Sequence, residues 1–79
     1  MRNVLLEKEI RRAIEQVVKT AEFLKRSISD IENEMSTAKE NRNFESEILL
    51  RQALKRKAND LAEQQRKQLH LQRQLVHLA

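Results

Sequence analysis

The sequence predicts an all-α fold, an antiparallel two-helix hairpin that resembles a coiled coil, and we expect it to dimerise into a four-helix arrangement. Three observations lead to this prediction. The 79 residues include no Gly and no Pro, and the most frequent residues are good helix formers. A heptad pattern of apolar residues fills the first half of the chain. The pattern then loses its phase at a polar stretch near the middle, which predicts a turn.

The first helix is predicted from about residue 4 to about residue 40. Nine positions, spaced alternately by four and three residues, are all apolar, as in the seam of a coiled coil. They are Ile10, Ile14, Val17, Ala21, Leu24, Ile28, Ile31, Met35 and Ala38. Asn3 is a suitable N-cap. A helix of this length measures roughly 55 Å at ~1.5 Å per residue.

The turn is predicted at about residues 41–43, because the same phase continued further finds one apolar residue in eleven positions. A stutter or stammer shifts the phase by four or three residues, whereas here it shifts by two. Asn41 and Asn43 tolerate the left-handed backbone conformation that a turn needs, and Asn43 can also cap a second helix. If the turn centres on Arg42, residue i faces about residue 84 minus i, which places Leu6 near Leu78.

The second helix is predicted from about residue 44 to about residue 78, with an apolar stripe that is less complete. Six of nine seam positions are apolar in the series Leu50, Leu54, Lys57, Leu61, Gln64, Gln68, Leu71, Leu75 and Leu78. A competing register fits about as well and runs through Leu54, Ala58, Leu61, Gln65 and Gln68. The sequence alone leaves the choice between the two registers open.

The chain is short enough to form one domain, residues 1–79, and its charge is uneven. The net charge is +4, but residues 30–47 carry six acidic and two basic groups, or −4. Residues 1–29 carry +3 and residues 48–79 carry +5. The hairpin is therefore expected to have an acidic turn and a basic open end.

A partner protein, a second copy of the chain, or both are expected, because one narrow seam is too small to offset the entropy of ordering two long helices. Several apolar residues lie outside the predicted seams of the two helices. On helix 2, Leu69 and Val76 lie nearly opposite Leu71 and Leu78. The predicted partner or dimer interface consists of Val4, Leu5, Leu6, Ala13, Val18, Phe23, Leu69 and Val76.

Catalysis, cofactor binding and metal binding are not expected. The chain has no Cys, no Gly-rich loop and no nucleophile–base pair. His70 and His77 are two turns apart, which is too far to share one metal ion. The carboxylates near the turn, such as Glu32 and Glu47, have no obvious pocket to shift their pKa values. No signal peptide or membrane span is evident, so a cytoplasmic location without membrane contact is expected.

Nucleic-acid binding is the alternative function, through the basic run Arg51, Lys55, Arg56 and Lys57. Arg51 and Lys55 are four residues apart and share one side of the helix, as phosphate binding would require. Arg56 and Lys57 point elsewhere, and no aromatic side chains alternate with the cations to stack on bases.

The residues Asn43-Phe44, followed by Leu49-Leu50 and Ala53-Leu54, resemble the small helical-hairpin co-chaperones of type III secretion needle subunits. In that family a polar turn precedes an aromatic residue and a Leu-rich amphipathic stretch. The resemblance implies that the chain holds an aggregation-prone protein together with a second chaperone. The function expected from the sequence is therefore a non-enzymatic protein-binding module, acting as a small chaperone, adaptor, inhibitor or other regulatory protein.

Overall fold

A computed structural model describes residues 3–78 and shows two long helices joined by a short turn. Helix α1 spans Val4–Glu40 and helix α2 spans Phe44–Leu78, and the two pack against each other. The molecule measures 63 × 14 × 12 Å. A single continuous helix would be roughly 110 Å long at ~1.5 Å per residue. The all-α two-helix hairpin predicted from the sequence is therefore confirmed.

Helix α1 begins at a side-chain cap, as predicted. Asn3 has an extended backbone, and its Oδ1 atom accepts a hydrogen bond from the backbone N–H of Leu6 at 3.1 Å. This bond satisfies one of the N–H groups that have no partner within the first turn of a helix. Glu7 follows in that turn and forms an ion pair with Arg11 at 3.2 Å.

Helix α1 ends in a Schellman motif, in which two backbone N–H groups beyond the helix donate hydrogen bonds to carbonyl groups of its last turn. The N–H of Asn43 donates to the carbonyl of Ala38 at 2.8 Å, and the N–H of Arg42 donates to that of Lys39 at 3.2 Å. Arg42 adopts the left-handed conformation with φ of 53°. The sequence suggested Asn41 or Asn43 for this conformation. The motif instead requires it one residue after the C-cap Asn41, and Arg42 occupies that position.

Asn43 leads directly into helix α2. Its Oδ1 atom accepts a hydrogen bond from the backbone N–H of Ser46 at 3.2 Å, which confirms it as the predicted N-cap. Glu45 and Glu47 lie in the first turn, where negative charge interacts favourably with the helix dipole. Glu47 also forms an ion pair with Arg51 at 3.3 Å.

The predicted seam of α1 is confirmed by burial. Ile10, Ala21, Leu24 and Ala38 are buried, and the other five predicted positions are half-buried. The polar residues between them are mostly exposed. One side of α1 is therefore the apolar surface that packs against α2.

The seam of α2 follows the first of the two predicted registers. All nine of its positions are half-buried, including Lys57 and Gln64, whereas Ala58 and Gln65 of the competing register are exposed. The competing register is therefore wrong. No described residue of α2 is fully buried. A seam between two helices is open to water on both flanks, so even its leucines are half-buried. Lys57 and Gln64 can cover the seam with their methylene groups while their polar ends reach water.

The pairing of the helices also agrees with the expected geometry. Leu6 and Leu78 line one groove at the open end of the hairpin, and their numbers sum to 84. The turn thus determines which residues of α2 lie opposite which residues of α1.

Candidate functional site

The predicted interface residues lie mostly on the surface. Leu5 and Val76 are 71% and 73% exposed, and Phe23 is 60% exposed. Val4, Leu6 and Leu69 are also exposed. Ala13 and Val18 are half-buried beside the seam of α1. Six of the eight residues therefore have side chains that could contact another molecule without any change in the hairpin.

The structure divides seven of these residues between two sides of the hairpin. Leu5 lies between the two sides, on the outer side of α1 opposite the seam. On one side, called the front, Val4 shares a groove with Lys8 and Arg11. Lys8 and Arg11 share a second groove with Gln72 of α2. Gln72 in turn lines a third groove with Leu69 and Val76. Val18 belongs to the front as well, because it follows Arg11 by seven residues, or about two helical turns.

On the opposite side, called the back, the two helix ends form what we call the open-end groove. It is lined by Leu6, Ile10, Gln74, His77 and Leu78. The floor is apolar, and an imidazole and an amide provide the polar edge. Ala13 follows Leu6 by two helical turns and therefore lies on the back, and Phe23 lies on the same flank of α1 but turned further outward.

Sequence reasoning missed a second group of exposed apolar side chains at the turn end of α2. Phe44, Ile48 and Leu49 are 69%, 54% and 65% exposed. Phe44 and Ile48 are one turn apart and lie on the same side of the helix, whereas Leu49 lies on the other side of the seam. The sequence did contain a sign of this surface, because these three apolar residues lie in helix α2 but not at positions of its seam.

The four predicted nucleic-acid contacts do not form one cluster. Lys57 occupies a seam position and is half-buried. Arg51 is exposed but holds an ion pair with Glu47. Lys55 and Arg56 are exposed, and they are successive residues that point about 100° apart around the helix.

Two of the carboxylates near the turn line one groove. These are Glu32 and Glu47, and Lys39 lines the same groove, so a cation lies near both carboxylates. Within residues 3–78, no three His, Asp or Glu side chains are close enough together to hold a metal ion. Neither described helix contains a stretch that is apolar enough to cross a membrane.

Comparison with known proteins adds no relatives. No protein family matches the chain, and the searches of curated proteins and of solved structures found no significant similarity. The resemblance to co-chaperones of type III secretion needle subunits therefore stays a prediction. The surfaces described above are the basis for the function proposed next.

Proposed function

We propose that this chain is a non-enzymatic protein-binding module, a small chaperone, adaptor or inhibitor, whose back side binds an amphipathic helix of a partner protein. The observation that carries the proposal is the open-end groove, where Leu6, 39% exposed, forms one wall, and Leu5, 71% exposed, lies beside it on the outer side of α1. Apolar side chains grouped at one end of a protein commonly mark an interaction site.

The shape of the molecule supports a binding role. The accessible surface is 6506 Å² for a chain of 9.4 kDa. A compact monomer of that mass exposes roughly 5,000 Å². The excess of about 1,500 Å² is larger than the roughly 800 Å² that each partner contributes to a specific protein–protein interface. The hairpin therefore exposes enough surface for a specific contact with a partner.

The geometry favours a helix as the partner. A third helix can lie in the groove between two antiparallel helices and insert side chains at intervals of three and four residues. The back side provides Leu6, Ala13 and Phe23 along α1. These residues span 17 positions, or roughly 26 Å at ~1.5 Å per residue, so a partner helix of about the same length would contact all three.

Charge indicates which helices would bind well. Residues 1–29 carry a net charge of +3 and residues 48–79 carry +5, so net negative charge is confined to residues 30–47 around the turn. A partner helix with acidic residues on its polar side would be attracted to most of the hairpin and repelled by the acidic turn, which would orient it toward the open end.

The proposal is tested with Leu5→Glu and Leu6→Glu, each compared with Leu49→Glu as a matched control. Leu49 is also an exposed leucine, but it lies near the turn. The tagged proteins are crosslinked to their partners in the cells that express them, and the captured proteins are quantified. We expect the amount of the main captured protein to decrease by at least about 10-fold for the open-end variants, which corresponds to ~1.4 kcal/mol of binding free energy. For Leu49→Glu the captured amount should be unchanged. Equal capture by all variants would refute the proposed site.

Nucleic-acid binding remains the alternative function, with less support because Arg51 is ion-paired and Lys57 is half-buried. The purified protein would be titrated with duplex DNA and duplex RNA at about 50 mM salt. Binding that weakens steeply with salt, and is abolished by changing Lys55, Arg56 and Lys57 to Glu, would favour this alternative.

A further inference from the structure

Helix α2 carries a second heptad stripe, which we call the α2 face, in addition to the seam that packs on α1. It begins at Phe44 and continues in alternating steps of four and three residues to Val76. Six of its ten positions are apolar, namely Phe44, Ile48, Ala58, Ala62, Leu69 and Val76. Nine of the ten are exposed, and Ala62 is half-buried. A helix with apolar stripes on two sides is expected to pack against two neighbours.

The direction of the α2 face suits a second neighbouring helix. At about 100° per residue, the stripe lies about 100–120° around α2 from the middle of the seam, on the front side of the hairpin. In a four-helix bundle each helix contacts two neighbours that lie at roughly a right angle around it. The helix that covers this stripe is absent from the single hairpin.

We propose that the α2 face packs antiparallel against the α2 face of a second copy of this chain. In the antiparallel arrangement centred between Ala58 and Ala62, residue i faces residue 120 minus i. Phe44 then faces Val76 of the second copy, and Ala58 faces Ala62 of the second copy. Apolar side chains meet at both ends, and small residues at the centre allow the helices to approach closely.

Charge selects this direction over the parallel one. In a parallel pair each residue of the stripe would face its own copy, so Arg51 would face Arg51 and Lys55 would face Lys55. Like charges that face each other across an interface are destabilising. In the antiparallel pair Arg51 faces Leu69 and Lys55 faces Gln65 of the second copy, so no two like charges are opposed.

The charges of the whole molecule agree with the same direction. Antiparallel packing brings the acidic turn, where residues 30–47 carry −4, next to the more basic open end of the other copy. On the flank of the stripe, Glu45 lies within two residues, or about 3 Å along the helix, of the level of Arg73 of the second copy, close enough for these opposite charges to attract. Parallel packing would instead place the two acidic turns side by side.

The area available is sufficient for a specific contact. The stripe covers 33 residues, or roughly 50 Å of helix, and a contact between two helices is about 10 Å wide. Each copy would therefore bury on the order of 500 Å², giving about 1,000 Å² in total, at the lower limit for a specific interface. This surface is separate from the open-end groove on the back, so self-association and partner binding can be tested independently.

The direction of packing is tested by crosslinking, which is simple because the chain has no native cysteine. Phe44→Cys and Val76→Cys proteins are prepared separately, mixed and oxidised. We expect a disulfide-linked dimer from the mixture and little from either protein alone, because the two sulfurs must come from facing residues. Asp60→Cys, which lies away from the stripe, is the control and should remain uncrosslinked. Crosslinking of Phe44→Cys with itself would show parallel packing and overturn the proposal.

The surface itself is tested with a pair of neighbouring substitutions, Ile48→Glu and Leu49→Glu. Both residues are exposed, but only Ile48 lies on the α2 face. Sedimentation equilibrium should give a dimer for the original chain and for Leu49→Glu. For Ile48→Glu the dissociation constant should rise by at least about 100-fold, because in both copies a charged side chain replaces an isoleucine that the contact buries. Circular dichroism is expected to show unchanged helix content in both variants.

The proposal is overturned if the original chain is a monomer at about 100 μM, or if Leu49→Glu weakens the dimer as much as Ile48→Glu does. If the chain is a monomer and Leu5→Glu abolishes capture of the partner, the proposed function stands and the homodimer is refuted. If the chain is a dimer and no captured protein depends on Leu5, the homodimer stands and the proposed function is refuted.

Discussion

Leu24→Ala should destabilise the hairpin more than truncation to alanine at any exposed position, because Leu24 is 7% exposed in the centre of the α1 seam. The substitution removes three side-chain carbons, worth about 0.8 kcal/mol each when buried, or about 2.4 kcal/mol. A cavity left behind can add to this loss, and Leu→Ala changes in closed cores cost about 2–5 kcal/mol. A two-helix seam is open on both flanks, so neighbouring side chains and water can fill the space. We therefore expect a loss of about 2–3 kcal/mol.

The matched control is Phe23→Ala, which removes a larger side chain from the adjacent residue. Phe23 is 60% exposed, so its truncation should cost less than about 1 kcal/mol in the isolated protein. Unfolding in guanidinium chloride, followed by circular dichroism at one protein concentration, would measure both free energies. The expected loss for Leu24→Ala corresponds to a decrease in Tm of about 10–20 °C. If Phe23→Ala proved as costly as Leu24→Ala, the assignment of the seam would be wrong.

Two further predictions concern the register of α2 and the turn. Gln64→Leu, made in the Ile48→Glu protein so that association does not contribute, should raise the free energy of unfolding by about 1 kcal/mol, because Gln64 is half-buried in the seam. Gln65→Leu in the same protein should change it little, and a larger gain from Gln65→Leu would support the competing register. Arg42→Gly should stabilise the protein by about 0.5–1 kcal/mol in chemical denaturation, since Arg42 has φ of 53° and glycine has no Cβ to clash there. Arg42→Ala should be close to neutral, and a destabilised glycine variant would contradict the Schellman geometry.

The two helices contribute unequally to the hairpin, and this affects how the molecule would assemble. The four buried residues of the described chain all belong to α1. The seam of α2 contains Lys57, Gln64 and Gln68 and is only half-buried throughout. Packing α2 against a second α2 helix would bury apolar surface on the helix whose side chains are less buried in the hairpin. This imbalance is a physical reason for association through α2 rather than through α1.

Much of the candidate site could be predicted from the sequence, because amphipathic helices show which residues their seam excludes. Val4, Leu5 and Val76 were predicted in this way as partner or dimer interface residues. They are exposed, and their role in an interface stays a prediction. Phe44 and Ile48 lie outside the seam phase of α2 and next to the polar turn, and they were not among the predicted interface residues. Which of these residues lie on the same side of the molecule depends on contacts between the two helices and therefore required the structure.

The sequence by itself determined that the chain is helical, that α1 has one continuous apolar seam, and that the chain turns between Ala38 and Leu50. Local interactions control these features: helix propensity, the heptad spacing, and the caps at Asn3 and Asn43. Only the tertiary structure decided that Lys57 and Gln64, rather than Ala58 and Gln65, face α1. Both registers place a similar number of apolar residues of the middle of α2 toward α1, so the free energies of packing in the two registers differ little. The choice depends on the three-residue turn, whose left-handed Arg42 determines the rotation and offset at which α2 meets the seam of α1.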